Sequence, residues 1–201
     1  MANKIMSWIH TGKSIPIDSK NFQNIIYDLL FLCPVCIRST KKRAKTEFKP
    51  VSVQKCDFHS RHIAGNLLTT ILADIRRPIA KIGGYASIDS KGDVVGTVNS
   101  IICSSTNSDS DFEILVYKKR SNMSESEAIF YYIRNAFAHG SFEYVSEKQL
   151  YKLESKKDTD VKAQMRLKES TLLRYCQLAR MDVKEITKLQ RRKAKSRKQL
   201  A

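Results

Sequence analysis

The run Ile133-Arg134-Asn135-Ala136-Phe137-Ala138-His139-Gly140 places an arginine, an amide and an imidazole close together in a segment that is otherwise apolar up to its glycine. These are the groups RNA cleavage asks of a protein when the ribose supplies the nucleophile. One is a fixed cation for the phosphate, one a hydrogen bonder, and one a side chain that exchanges protons near pH 7. On a helix, Asn135 and His139 are i and i+4 and share a ridge, with Arg134 about 100° round on its flank. Gly140 is a natural helix terminator, which puts His139 in the last turn, where the chain can bring the ring toward the arginine.

The matching reaction is attack of a ribose 2′-hydroxyl on the adjacent phosphorus. The P–O5′ bond breaks, leaving a 2′,3′-cyclic phosphate and a 5′-hydroxyl, and no metal is required because the nucleophile is already in position. Arg134 is expected to hold the equatorial oxygens, His139 to act as general acid or base, and Asn135 to orient the phosphate or the histidine. One histidine does not readily carry both proton transfers, so two copies facing each other in a homodimer are expected, with this helix near the twofold. The plain alternative is that a histidine at a helix end caps backbone carbonyls.

The Arg134-Asn135-x3-His139 pattern resembles that of the HEPN superfamily of small helical proteins. Many of its ribonucleases carry an arginine, then a polar residue, then a histidine a few positions on. The resemblance implies a mainly α fold, a HEPN-like helical bundle with β-hairpin insertions (α+β overall), and one cleft built from two subunits. It also implies catalysis without a cofactor, and a toxin or anti-phage defence effector with an antitoxin or defence-system partner. Two alternatives stay open: a non-catalytic HEPN-like or zinc-stapled RNA-binding module, and nucleotide transfer to RNA or protein.

A second set of chemistry-bearing residues is Cys33-Pro34-Val35-Cys36 with Cys56-Asp57-Phe58-His59. Two such pairs can supply four tetrahedral ligands, so Cys33, Cys36, Cys56 and His59 are candidates for a structural zinc, a closed set with no open position for catalysis. Buried free thiols are the alternative. Basic clusters recur along the chain. Lys41, Lys42 and Arg43, and Arg191, Arg192 and Lys193 in the C-terminal run, are the candidate RNA contacts. Arg76-Arg77 and Lys118-Lys119-Arg120 are lesser ones.

The elements that must position these residues read as follows. A helix is predicted from Asn21, carried by Phe22, Ile25, Ile26, Leu29, Leu30 and Leu32. A second runs from a cap at Asp57 to Arg77, with Pro78 just beyond. Gly83-Gly84 opens a strand-rich stretch: residues 93–98 and 101–103 are rich in β-branched side chains, and residues 112–117 alternate. Ser124 and Glu127 form a capping box for the motif helix, which holds Ile129, Tyr132, Ile133, Ala136 and Phe137. Residues 143–152 and 159–168 suggest a hairpin, and Ser170 a cap for a last helix with Leu172, Leu173, Tyr175 and Leu178. The expected organisation is a single domain over 1–183, with a strand-rich insertion around 85–118 and a possible hairpin at 143–168. A basic tail over 184–201 follows.

Lysine and arginine number 36 against 20 acidic residues, a net charge of +16 that favours polyanionic partners and RNA first among them. No apolar run is long enough to cross a membrane. The N-terminal residues lack a secretory apolar stretch, and five cysteines without a paired framework suit a reducing compartment, so a cytoplasmic location is expected.

Overall fold

Burial alternates or runs continuously through residues 142–168, and three strands follow from it: β3 (Phe142–Val145), β4 (Leu150–Lys157) and β5 (Asp160–Lys168). In the computed structural model they form an antiparallel meander, with β3 on β4 and β4 on β5. The structure describes residues 8–9, 15–31, 62–105, 112–121 and 123–181, and beyond these 184–185, 187–189, 191–192 and 195. β2 (Ile114–Lys118) adds antiparallel to β5, and β1 (Tyr85–Ile88) adds parallel to β2. The result is one mixed five-stranded sheet in the order β1-β2-β5-β4-β3.

The protein is therefore α/β, and the expected mainly helical bundle with β-hairpin insertions is overturned. The strands are not insertions on a bundle: they are the central layer against which the helices pack. The side-chain period of two explains how. In β2, Leu115 and Tyr117 join the large core with Tyr151 and Leu153 of β4 and Met165 and Leu167 of β5, while Ile114 and Val116 face the opposite side.

Four helices cover the larger core: α1 (Lys20–Ile26), α2 (His62–Lys81), α4 (Glu125–Ala138) and α5 (Glu169–Arg180). The helix predicted from Asn21 is present, capped by the Ser19 hydroxyl and continued by a π-helical segment, Tyr27–Phe31. Its Ile25 and Leu29 are fully buried. Pro78 lies inside α2, not beyond it, so that helix extends past the predicted stop at Arg77. The predicted cap at Asp57 lies outside the described residues. α5 begins at Glu169 after Lys168, without a side-chain cap, so Ser170 is inside the helix.

On the other face sits α3 (Val94–Ser104), where strands were expected from the β-branched composition. Val94, Val98 and Ile101 fall at i, i+4 and i+7, and pack over Ile114 and Val116. Burial of this stripe overrides the β propensity of its residues, which is weak by comparison. At the entrance to β1, the Gly84 amide donates to Ile79 O at 2.8 Å and its carbonyl accepts from Leu115 N at 2.8 Å. A side chain there would collide with the Glu113 carbonyl, so glycine is required.

α4 is the best-determined helix. Ser124 and Glu127 complete the predicted capping box. Ile129, Phe130, Ile133 and Ala136 are at most 1% exposed. Each large one contributes about 1.5–3 kcal/mol of burial. At its end, Gly140 takes φ +64 and its amide reaches Phe137 O at 3.1 Å, while Ser141 N reaches Ala136 O at 2.8 Å. These two bonds make a Schellman closure, which only a residue tolerant of positive φ completes without strain.

Candidate functional site

Because α4 is held by its buried face, its other ridge is free to meet a ligand. Tyr131, Asn135 and His139, spaced by four, line a cleft of about 460 Å³. The Schellman closure bears directly on His139. The last carbonyls are taken by the amides of Gly140 and Ser141, so the imidazole is not needed to cap them. Among the described residues no hydrogen bond or ion pair engages the side chains of Arg134, Asn135 or His139.

The rest of the cleft comes from the sheet. Pairing of Tyr117 with Ala163 and of Lys157 with Asp160 brings the carboxyl end of β2 beside the β4–β5 turn. Lys118, Lys119 and Arg120 therefore meet Lys156, Lys157 and Lys162 around one opening. A ligand crevice beyond the carboxyl ends of the parallel strands, here β1 and β2, is a familiar place in α/β sheets. Among the described residues six cations and no carboxylate line it, so an anion entering is attracted from several sides.

Neighbouring carboxylates pair with four of these cations, Lys118, Lys119, Lys156 and Lys162. Lys118, 7% exposed, donates to Asp160 Oδ1 at 2.7 Å, and Lys162 pairs with the other oxygen of the same carboxylate. The bonds from Lys118 and Lys162 hold the Asp160 carboxyl below its usual range. Lys156 reaches Glu154 at 2.6 Å. The guanidinium of Arg120 lies over the ring of Tyr131. Tyr132 turns inward, donating to Lys118 O at 3.0 Å, which ties α4 to the end of β2.

The structure thus brings Asn135 and His139 together on one cleft and leaves Arg134 off its wall. Arg134 is half-buried on the flank of the ridge, the consequence of a 100° step per residue. The cations facing Asn135 and His139 are instead those of β2 and the β4–β5 turn. Lys156, Lys157 and Lys162 escaped the sequence reading as site residues. The basic doublet Lys156-Lys157 was visible, but its partnership with Lys118-Lys119-Arg120 depends on a strand pairing across more than forty residues.

Of the other predicted RNA contacts, Arg191 and Arg192 are exposed and join Lys184, Lys188 and Lys195 along a second basic cleft of about 480 Å³. Lys41, Lys42, Arg43 and Lys193 lie outside the described residues, as do the candidate zinc ligands Cys33, Cys36, Cys56 and His59. Among the described residues no cluster of histidine, cysteine and carboxylate side chains suits a metal. Cys176 is buried, and burial first, with Asp28 next, pushes its thiol up to about 12, leaving it protonated and unreactive. No helix among the described residues is long and apolar enough to cross a membrane. No protein-family model, curated protein or solved structure matches this chain.

Proposed function

We propose that this protein is a metal-independent endoribonuclease whose site is the Asn135–His139 cleft. What carries the reading is the meeting of an uncommitted imidazole and an uncommitted amide with six cations in one concavity. The lysines and Arg120 draw in and neutralise the RNA backbone. His139 takes the proton of the attacking 2′-hydroxyl or gives one to the departing 5′ oxygen. Asn135, one turn earlier, holds a phosphate oxygen or the ring. The new bond is O2′–P and the broken bond P–O5′. The proton lost by the 2′-hydroxyl and the one gained by the 5′-oxygen balance.

Two proton transfers call for two groups, and a homodimer with α4 near the twofold provides a second His139. It also gives Arg134, which lies off the cleft of its own chain, a cleft to serve in the second copy. A structural zinc on Cys33, Cys36, Cys56 and His59, a cytoplasmic setting, and a toxin or anti-phage defence role with an antitoxin-like partner belong to the same proposal. The last rests only on the HEPN resemblance.

The position of Arg134 favours a second reading, a non-catalytic RNA-binding module in which the cleft holds RNA without cutting it. Incubation of RNA with the protein in EDTA separates the two. The nuclease reading expects products with 2′,3′-cyclic phosphate ends, lost in both Arg134→Ala and His139→Ala. Binding without cleavage by the parent protein establishes the module instead.

A further inference from the structure

A second cleft, of about 230 Å³, adjoins the first and shares Lys119 and Arg120 with it. Its other walls are Ser87 of β1, Tyr117 of β2, and Met123, Ser124, Glu125 and Ala128 around the start of α4. Met123 and Ala128 make an apolar side, and the remaining groups are polar. A small, partly apolar recess with a few convergent polar atoms is the form a base-binding site takes.

The polar atoms there are committed in one direction. Tyr117 donates to Glu125 Oε1 at 2.9 Å and Tyr85 donates to the same oxygen, while Arg76 pairs with Oε2 and donates to Tyr85 Oη at 3.3 Å. Burial and the neighbouring acid keep both tyrosine hydroxyls protonated. Glu125 is ionised because the bonds from Tyr85, Arg76 and Tyr117 outweigh the opposing effect of burial. The two tyrosine hydroxyls also meet each other at 3.1 Å, and Tyr117 is 1% exposed, so its hydroxyl is spent within this network and Glu125 is the acceptor the cleft presents. Glu125 Oε2 keeps a lone pair beyond Arg76. Ser124 is also occupied, donating to Glu127 Oε2 at 2.8 Å and accepting from Glu127 N at 3.4 Å. The capping box therefore leaves no anion site at this helix start. The floor of the cleft accepts hydrogen bonds, and its cations stand on the wall shared with the first cleft.

We propose that this second cleft receives the base of the RNA nucleotide next to the one held at Asn135 and His139, and that it selects adenine or cytosine over uracil. The amino group of adenine or cytosine donates to the half-buried Glu125 carboxylate, whereas the 4-carbonyl of uracil would face that acceptor unpaired. Lys119 and Arg120, between the clefts, bind the phosphate that links the two nucleotides. The inference rests on the proposal that RNA occupies the first cleft, but not on its being cut.

The test is binding of cleavage-resistant 2′-O-methyl octamers: oligouridine, and oligouridine with one central adenine or cytosine. The adenine and cytosine octamers are expected to bind about tenfold more tightly than oligouridine. Glu125→Gln, which replaces an acceptor oxygen by a donor amide, is expected to narrow that preference. Ser87→Trp, which fills the recess, is expected to abolish it. Thermal unfolding of each variant shows that it is folded, and either variant alone suffices. Equal affinity for all three octamers overturns the inference, as does a preference that survives in both variants. Unmodified octamers run in parallel report on cutting. Base preference without cleavage supports the inference and removes the nuclease reading, while cleavage without preference does the reverse.

Discussion

The guanidinium carbon of Arg120 lies 4.4 Å from the centre of the Tyr131 ring, one helical turn before Asn135. The contact points a cation from the end of β2 across the mouth of the cleft, and it ties the sheet to α4. A guanidinium over an aromatic face is worth about 0.5–1 kcal/mol at a partly exposed site. RNA affinity is expected to fall in Arg120→Ala and, by less, in Tyr131→Leu. The double variant should lose less than the sum, since the ring acts through the arginine it orients. A double-mutant cycle on RNA dissociation constants measures this, and strict additivity contradicts it. Arg120→Lys is not expected to restore wild-type affinity, because lysine lacks the planar group that lies on the ring.

His139→Ala and Asn135→Ala should separate function from folding. Neither side chain holds the end of α4, which the Gly140 and Ser141 amides close. Both variants are expected to unfold at the wild-type temperature, and His139→Ala to cut RNA about 10²–10⁴-fold more slowly. Gly140→Ala has the opposite profile. Its φ of +64 strains any side chain, and the expected cost is about 1 kcal/mol of stability. Calorimetry beside a cleavage assay checks both. A large drop in unfolding temperature for His139→Ala would show that the ring is structural after all.

Lys156 and Lys157 stand at the exposed end of β4, where they contribute charge without packing. Replacing both by alanine is expected to cost about 1 kcal/mol or more of stability, because Lys156 is the ion-pair partner of the buried Glu154 carboxylate, and to leave the protein folded. RNA binding weakens in that variant, and its salt dependence becomes shallower. For single-stranded RNA the slope of log K against log salt changes by about 0.7 for each phosphate the protein ceases to neutralise, so removing two lysines gives a change of about 1.4. An unchanged slope means that these lysines do not touch the backbone.

Glu125 links pH to stability. Burial opposes its ionisation, but the bonds from Tyr85, Arg76 and Tyr117 prevail and depress its value in the folded protein below the ordinary 4.5. A depressed carboxyl stabilises the fold above the ordinary value, and the contribution is lost as pH falls through the folded one. The stability difference between wild type and Glu125→Gln should therefore be largest at neutral pH and shrink on acidification below the ordinary carboxyl value. Denaturant unfolding at a series of pH values tests this. A difference that grows in acid has the wrong sign.

Local features of this chain were set by residues that interact with near neighbours in sequence. The Ser124–Glu127 capping box, the apolar face of α4 and the stop at Gly140 involve contacts at most five residues apart, so their chemistry is written in order along the chain. The Asn135–His139 ridge follows from the same helical period. The tertiary structure decided what lies opposite that ridge. Val94, Val95, Thr97, Val98 and Ile101 are β-branched, yet lie on a helix because the second face of the sheet needs covering and a stripe at i, i+4 and i+7 covers it. Lys118 meets Lys162 through the pairing of β2 with β5, and Arg76 meets Glu125 across forty-nine positions. Such contacts depend on which strands become neighbours, and that choice is made by burial summed over the whole sheet, not by any local run. The same summation turned expected insertions into the central layer and left Arg134 beside the cleft that its neighbour Asn135 enters.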